Sequence, residues 1–309
     1  MGTDVCIQVE SKISIFSYRN VIAWIRKVLK MNISAYLRLM RFHKPAGILL
    51  LWIPTAWALW IVNHGVPSTL LIIYFFLGTV VMRAAGCVVN DIADRHVDKQ
   101  VKRTYMRPLT AGEINLSEAL WLLSMLLLVA FFIVMQLPIA CFYYALVALF
   151  ITIIYPFCKR FFAAPQLVLG LAFSMGIPMA YAASGVRFNL IMWLLVLLNF
   201  AWIVSYDTMY AMADREDDLR IGIKSTAVLF ASYDRLIILL LQVFFHGLWL
   251  FIAVKLHYSH AFYGYWAAAS LVLVYQQHLL RNRDANACLA AFSTNMWYGL
   301  LMWCGLMLK

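Results

Sequence analysis

Residues 68–98 read STLLIIYFFLGTVVMRAAGCVVNDIADRHVD, a long apolar run followed by acidic residues. About 20 consecutive, largely apolar residues can carry an α-helix across the hydrocarbon core of a bilayer. In this stretch the apolar run passes without a break into a segment with three aspartates. We therefore predict a membrane-spanning helix over 68–89 that ends in carboxylates at the membrane surface.

The whole chain shares this apolar character. Of its 309 residues 64% are hydrophobic and 13% are charged, and the mean hydropathy is +0.81. Soluble domains average roughly half apolar and a quarter charged residues, and disordered chains deviate in the opposite direction. The composition excludes an ordinary soluble or disordered protein and predicts an all-α membrane protein.

Repeated apolar stretches predict a bundle of nine transmembrane helices. The stretches cover about 46–63, 68–89, 117–136, 138–156, 164–184, 188–212, 236–256, 261–280 and 287–308. If all nine cross the membrane, 21 of the 25 Lys and Arg residues fall on the side of the N-terminus. The positive-inside rule then predicts a cytoplasmic N-terminus in a multi-pass protein of the cell inner membrane. The net charge of +11 follows from this topology, so we predict the lipid bilayer as a partner and no nucleic acid.

The N-terminal residues differ from the rest, and we divide the chain into an extension, 1–35, and a main domain, 36–309. Residues 21–30, VIAWIRKVLK, combine apolar positions at helical spacing with a basic face. This pattern is typical of an interfacial helix on anionic lipid. The alternative is that Met31 is the natural start and the extension is an artefact of start-site choice.

Acidic residues are scarce, and eight of the fourteen lie in two clusters, 90–98 and 207–218. Two helical faces are predicted from the spacing: the first carries Asn90, Asp94 and Asp98, the second Asp207, Asp214 and Asp218. Like charges at these spacings destabilise a bare helix, so a neutralising partner is expected. Mg²⁺ prefers oxygen ligands and usually binds one or two carboxylates together with substrate phosphate oxygens. The clusters therefore predict a site that holds a diphosphate through Mg²⁺.

The alternative reading of these clusters is a pair of solvated loops that happen to be acidic. Arg95, Arg103 and Arg215 are close enough in sequence to pair with some of the acids. Loops on the cytoplasmic side are usually basic, however, and the helical spacing favours a functional site. Glu216 and Asp217 fall off the predicted face, and we interpret them as ordinary solvated acids.

The clusters match the patterns NDxxDxxxD and DxxYAxxDxxxD, and further matching runs surround them. These are RLMRFHKP at 38–45, MRAAGC at 82–87, YPFCKR at 155–160, IGIKST at 221–226 and YQQ at 275–277. Through these residues the chain, from about Tyr36 to its C-terminus, resembles the UbiA superfamily of intramembrane prenyltransferases. The resemblance implies a bundle around a central cavity, with the aspartate motifs on cytoplasmic cap segments and an active site that faces the cytoplasm.

The resemblance also implies a reaction. It implies Mg²⁺-dependent transfer of a polyprenyl group, octaprenyl in bacterial members, from its diphosphate to C3 of 4-hydroxybenzoate. The product, 3-polyprenyl-4-hydroxybenzoate, is an early ubiquinone precursor. Other members with naphthoate or haem acceptors are alternatives, but the runs RAAGCVVND at 83–91, YDTMYA at 206–211 and IGIKST favour the hydroxybenzoate enzymes.

Site residues follow from the resemblance position by position. The implied catalytic residues are Asp94, Asp98, Asp207, Asp214 and Lys159. The implied substrate-binding residues are Arg83, Asn90, Tyr155, Arg160, Asp218 and Lys224, and Arg83 corresponds to an arginine that holds the aromatic carboxylate. The implied Mg²⁺ ligands are Asn90, Asp94, Asp98, Asp207, Asp214 and Asp218. The chain departs from the family at Met106, where an Asn usually precedes Arg-Pro, and this puts the affinity for the prenyl donor in doubt.

Arg83 also stands out without the resemblance, because a charge inside a span usually faces a cavity and a partner. The alternatives are that its side chain reaches the interface or pairs with Asp91. A transporter is a further alternative, since intramembrane acids and arginines also mark ion pathways. Transporter acids usually lie near the bilayer midplane, whereas these clusters are predicted at the membrane surface.

Overall fold

The structure, a computed structural model, describes residues 32–308, and within this range the regular elements are helices without strands. The α-helices are α1 (Ile33–Leu39), α2 (Ala46–Val62), α3 (Thr69–Asp94), α4 (Leu116–Val134), α5 (Ile139–Cys158), α6 (Pro165–Ser174), α7 (Gly176–Ala183), α8 (Leu190–Ile221), α9 (Thr226–Phe230), α10 (Asp234–Leu256), α11 (His260–Leu279) and α12 (Ala285–Met307). The all-α prediction is confirmed for these residues. The predicted interfacial helix at 21–30 lies outside them.

Helices occupy all nine stretches predicted to span the membrane, the fifth being divided into α6 and α7. Six helical segments of the described chain are long and apolar enough to cross a bilayer: α3, α4, α5, α6 with α7, α8, and α9 with α10. The apolar α2 has only 17 residues. The chain is thus a multi-pass helical membrane protein by its helix lengths, and the count of nine crossings stays a prediction.

Helix α8 is longer than the predicted apolar stretch and extends into the second acidic cluster. It begins at an N-cap, where the Asn189 side chain accepts a hydrogen bond from the Met192 backbone N–H. Its end is fixed by Gly222, whose φ of +73° lies in the left-handed region that favours glycine. Between these caps 32 residues form one helix, so the cluster is carried on a rigid element.

Aromatic side chains of α2, α8 and α10 form the centre of the hydrophobic core. Trp57, Trp202 and Trp249 are fully buried, and the ring of Trp57 lies 4.9 Å from that of Trp202 and 5.0 Å from that of Trp249. Trp57 Nε1 donates to the Gly299 carbonyl at 3.2 Å. A Cβ at Gly299 would lie 2.9 Å from side-chain atoms of Ile53 and Trp202, so this close approach of α12 requires glycine.

Helices α4 and α5 contain few buried residues. Ala119 is the one buried residue of α4, and Cys141, Pro156 and Cys158 are those of α5. Their exposed residues are large and apolar, including Phe132 and Phe150. Such faces suit contact with lipid chains.

Candidate active site

An apolar cavity of about 250 Å³ lies between α2, α3, α4, α5, α6 and α7. Aliphatic and aromatic side chains form most of its wall, among them Phe131, Phe142 and Phe173. Its few polar wall residues are Thr55, Tyr74, Thr79, Thr152 and Arg83. The cavity can therefore hold a large apolar group next to a single cation.

One face of α3 leads from this cavity to the first acidic cluster. Thr79, Arg83 and Gly86 line the cavity, and Asn90 and Asp94 follow on the same face by helical spacing. Helix α3 ends at Asp94, and Asp98 begins a separate 3₁₀ turn over Asp98–Gln100. The predicted single helical face is thus wrong for Asp98, because the helix does not extend that far.

Each aspartate of the first cluster is buried, and one oxygen of each carboxylate accepts from a basic side chain. Asp94 pairs with Lys159, the C-cap residue of α5, while its Oδ1 is buried with no hydrogen-bond partner among the described residues. Asp98 Oδ2 accepts from Arg107 Nη1 at 2.7 Å. Burial raises the pKa of the Asp98 carboxyl, and Arg107 opposes this rise.

The second cluster lies on the extended end of α8, and its predicted helical face is confirmed for Asp207, Asp214 and Asp218. Arg103 joins this cluster to the segment after the first one, because its Nε donates to Asp214 Oδ1 at 2.9 Å. The Arg103 guanidinium also lies over the Tyr210 ring, 4.7 Å from the centroid. The hydrogen bond to Asp214 contributes to an Arg103 pKa above its ordinary value, although burial acts in the opposite direction.

Tyr155 and Lys159 connect the two clusters. The Tyr155 phenol is close enough to Asp94 and Asp207 to interact electrostatically with both. Lys159 pairs with Asp94 and interacts in the same way with Asp218. The structure thus brings residues from both predicted clusters around one space at the end of α3, α5 and α8.

Arg83 lies at the junction between the cavity and the clusters. A Cβ at Gly47 would be only 2.5 Å from Arg83 Nη2, so glycine at this position lets α2 approach the guanidinium. Asp207 interacts electrostatically with Arg83. Among the described residues, however, Arg83 has no carboxylate close enough to form a salt bridge, and neither does Asp207 have a basic partner at that distance. Asp91, considered above as its partner, binds Arg41 and Arg107 instead.

The remaining predicted residues lie at the edge of the site. Arg160 Nη2 donates to the Ala93 carbonyl at 2.9 Å, and Lys224 Nζ donates to the Phe161 carbonyl at 2.9 Å. Both side chains therefore tie backbone segments together near Lys159. Of the other arginines considered as local partners, Arg95 binds the Ile92 carbonyl and Arg215 binds Asp234.

Sequence reasoning missed the roles of Arg41, Arg107 and Asp91 and the long-range pairing of Arg103. Arg103 and Asp214 are 111 positions apart, and Arg41 and Asp91 are 50 positions apart. Arg41 and Arg107 could have been found from the sequence, because they lie in the RLMRFHKP and Met-Arg-Pro runs that were compared with the family. Spacing along the chain gave no indication of which acid each base binds.

The described residues contain no group of three or more His, Cys, Asp or Glu side chains arranged to hold a metal ion. The donor types nevertheless fit Mg²⁺, because they are carboxylate and amide oxygens, and Asp94 Oδ1 is a buried acceptor without a donor. A site that uses one or two carboxylates and completes its shell with phosphate oxygens is compatible with this arrangement.

Comparison with known proteins identifies relatives over most of the chain. Residues 51–303 match the UbiA prenyltransferase family. A protein of Legionella pneumophila named 4-hydroxybenzoate octaprenyltransferase is 58% identical over 87% of this chain and 96% of its own length. A Coxiella burnetii protein of the same name is 47% identical over 91% of this chain and 98% of its own length.

Solved structures share the fold at lower identity. The apo structure of a UbiA homologue from Aeropyrum pernix K1 has a TM-score of 0.74 at 22% identity, covering 84% of this chain and 96% of that one. A UbiA homologue from Archaeoglobus fulgidus, bound to GPP and Mg²⁺, has a TM-score of 0.67 at 20% identity. It covers 87% of this chain and 99% of that one.

Proposed function

Because the chain belongs to the UbiA prenyltransferase family, we propose that it transfers a polyprenyl group from its diphosphate to C3 of 4-hydroxybenzoate. The names of the relatives at 47–58% identity support octaprenyl as the group and 4-hydroxybenzoate as the acceptor. The observation that carries the proposal is the placement of Arg83 between an apolar cavity and two acidic clusters. The cavity matches the apolar prenyl tail, Arg83 matches the carboxylate of the aromatic acceptor, and the acidic clusters match the diphosphate with its metal ion.

Asn90, Asp94 and Asp98, together with Asp207, Asp214 and Asp218, are the residues proposed to hold Mg²⁺ with the diphosphate. Bound there, the ion would neutralise negative charge on the leaving diphosphate. The Archaeoglobus homologue solved with GPP and Mg²⁺ supports Mg²⁺ and a prenyl diphosphate as the species bound. We include Lys159 because its ammonium pairs with Asp94 and lies near Asp218, where a departing anion would be stabilised.

The cavity wall and Arg83 are proposed to act on the other two reactants. Loss of diphosphate leaves an allylic cation that water would quench, so the apolar wall excludes water from the reacting carbon. Arg83 would bind the carboxylate of 4-hydroxybenzoate and turn the ring carbon next to the phenol toward that cation. The C–O bond breaks first, with its electron pair leaving on the diphosphate. The ring carbon then forms the new C–C bond with the allylic cation, and the proton at that carbon passes to the released diphosphate, which restores the aromatic ring. Tyr155, Arg160 and Lys224 complete the proposed diphosphate surroundings.

Membrane placement also belongs to this proposal. We propose nine crossings of the cell inner membrane, a cytoplasmic N-terminus and cytoplasmic caps that carry the acidic clusters. The positive-inside distribution of Lys and Arg supports this orientation. We propose 36–309 as the prenyltransferase domain and 1–35 as an extension, with α1 beginning at Ile33, just before that boundary.

An assay of isolated membranes tests the function. Membranes that contain the protein should form 3-polyprenyl-4-hydroxybenzoate from 4-hydroxybenzoate and a polyprenyl diphosphate when Mg²⁺ is present. A chelator should stop the reaction, and added Mg²⁺ should restore it. A dihydroxynaphthoate and a haem acceptor in parallel reactions test the alternative acceptors, and turnover of either one in place of 4-hydroxybenzoate would overturn the assignment.

A further inference from the structure

Asp91 is the acid of the first cluster to which the proposed reaction gives no role. Its side chain is almost fully buried, with 1% of the residue exposed. Its Oδ1 accepts from Arg41 Nη2 at 2.7 Å and from Arg107 Nη1 at 3.1 Å. Asp91 Oδ1 is therefore shared by two guanidinium groups, which leaves that oxygen poorly placed to bind a metal ion as well.

The two arginines come from separate segments that Asp91 brings together. Arg41 lies in the turn between α1 and α2, and Arg107 lies in the segment between the 3₁₀ turn and α4. Arg41 has a φ of +58°, a strained conformation for a residue with a side chain, and such strain persists only where surrounding contacts fix it. Its ion pair with Asp91 is such a contact.

Both guanidinium groups lie beside the proposed diphosphate space. Arg107 Nη1 is 2.7 Å from Asp98 Oδ2, so it contacts a proposed Mg²⁺ ligand directly. Arg41 interacts electrostatically with Tyr210 of α8, which lies one turn from both Asp207 and Asp214. The pair of cations is thus placed between the first and second clusters.

We propose that Asp91 is a positioning residue that holds Arg41 and Arg107 toward the donor diphosphate and does not itself bind Mg²⁺. This inference rests on the proposed function, because it assigns the cations that face the diphosphate of that site. When Mg²⁺ and diphosphate are bound at Asp98, the ion would neutralise the Asp98 carboxylate in place of Arg107. Arg107 would then be free to contact phosphate oxygens, which match the planar donors of a guanidinium group.

Asp234 provides a matched control. It is also fully buried and binds two arginines, Arg215 and Arg283. These arginines otherwise donate to backbone carbonyls of Ala227, Ala231 and Ser232, and neither contacts an acid of the two clusters among the described residues. Loss of Asp234 thus removes the same kind of ion pair from a place that holds no diphosphate in the proposal.

The test compares Asp91→Asn, Asp234→Asn and Asp94→Asn in the full-length protein, with inorganic pyrophosphate and Mg²⁺ as probes. Calorimetry at saturating Mg²⁺ should show about tenfold weaker pyrophosphate binding for Asp91→Asn. The KM for the prenyl diphosphate should rise by a similar factor. The KM for 4-hydroxybenzoate and the Mg²⁺ concentration for half-maximal activity should change less than about twofold. Asp234→Asn should keep wild-type pyrophosphate affinity.

Two results with the single variant would overturn the inference. The first is wild-type pyrophosphate affinity in Asp91→Asn, and the second is a shift in its Mg²⁺ requirement as large as that of Asp94→Asn. Should the single variant fail to fold, the triple variant Asp91→Asn/Arg41→Gln/Arg107→Gln is compared with the double variant Arg41→Gln/Arg107→Gln. The two should bind pyrophosphate with the same affinity. A further tenfold loss there would also overturn it. Because pyrophosphate binding is measured without turnover, an error in the acceptor would leave this test intact.

Discussion

The two sides of the helical bundle differ in how closely their helices pack. On the side of α8 and α10, the side chains of Trp57, Trp202 and Trp249 are fully buried and pack ring against ring. On the side of α4 and α5, few residues are buried and an apolar cavity opens between the helices. The packed side supports the second acidic cluster on α8, and the side of α4 and α5 provides room for an apolar chain.

This difference explains how one bundle can satisfy two opposed requirements. The acids on α8 need a rigid support, because binding a diphosphate through metal ions depends on where each carboxylate lies. A long prenyl tail needs space that different chain lengths can fill. Different helices meet the two requirements, because α8 supports the second cluster and the cavity lies beside α4 and α5. The variants below test that separation.

The largest effect is expected from the acids of the two clusters. Asp94→Ala and Asp214→Ala should each lower kcat/KM about 1,000-fold or more, because a leaving diphosphate depends on preorganised charge. Steady-state assays of the purified variants measure this loss. Glu216→Ala is the control, since Glu216 is exposed on the same helix and should keep wild-type activity. Full activity in both aspartate variants would contradict the proposed mechanism.

Truncating a side chain on the packed side should lower the stability of the protein more than truncating one in the cavity wall. Trp249→Ala should lower the free energy of unfolding by about 3–5 kcal/mol, because it leaves a cavity within a closely packed aromatic core. The cavity-wall variant Phe142→Ala should lower it by roughly 1 kcal/mol or less, since that ring is only partly buried. Denaturation of both variants in the same detergent provides the comparison. Equal losses would show that the two sides are packed alike.

Arg83 lies at the junction between the cavity and the acidic clusters, and its loss should weaken the binding of one of the two substrates. Arg83→Ala should raise the KM for 4-hydroxybenzoate roughly 10- to 100-fold, because a charge-assisted hydrogen bond to the carboxylate is removed. The KM for the prenyl donor should change less than about threefold. Arg187→Ala removes an exposed cation from the loop between α7 and α8, which contributes no residue to the cavity wall, and should change neither value. Equal increases for both substrates would exclude the carboxylate role.

The smallest effect is expected from partial filling of the cavity. Gly86 lines it, and a Cβ there would meet Thr152 at an ordinary 3.8 Å, so Gly86→Ala should be tolerated. The larger side chain of Gly86→Leu should lower kcat/KM about fivefold for octaprenyl diphosphate relative to geranyl diphosphate. Parallel assays with the two donors measure the ratio. An unchanged ratio would place the prenyl tail outside this cavity.

Much of the site was predictable because its residues belong to local patterns. The spacing of Asp207, Asp214 and Asp218 predicts a shared helical face, and α8 carries all three. Arg83 was identified as a charge inside an apolar stretch, and it lines the cavity. The same reasoning failed for Asp98, because helix α3 ends at Asp94 and spacing alone does not show where a helix stops.

Composition and the period of a helix were enough to predict a membrane environment, the helical class and the two acidic clusters. Which base pairs with each acid depends on the fold. Arg103 binds Asp214 from 111 positions away, and Asp91 holds Arg41 and Arg107 rather than Arg83. Ion pairs form between charges that the fold brings close together, and in this bundle that closeness is set by helix packing and by the turns between helices.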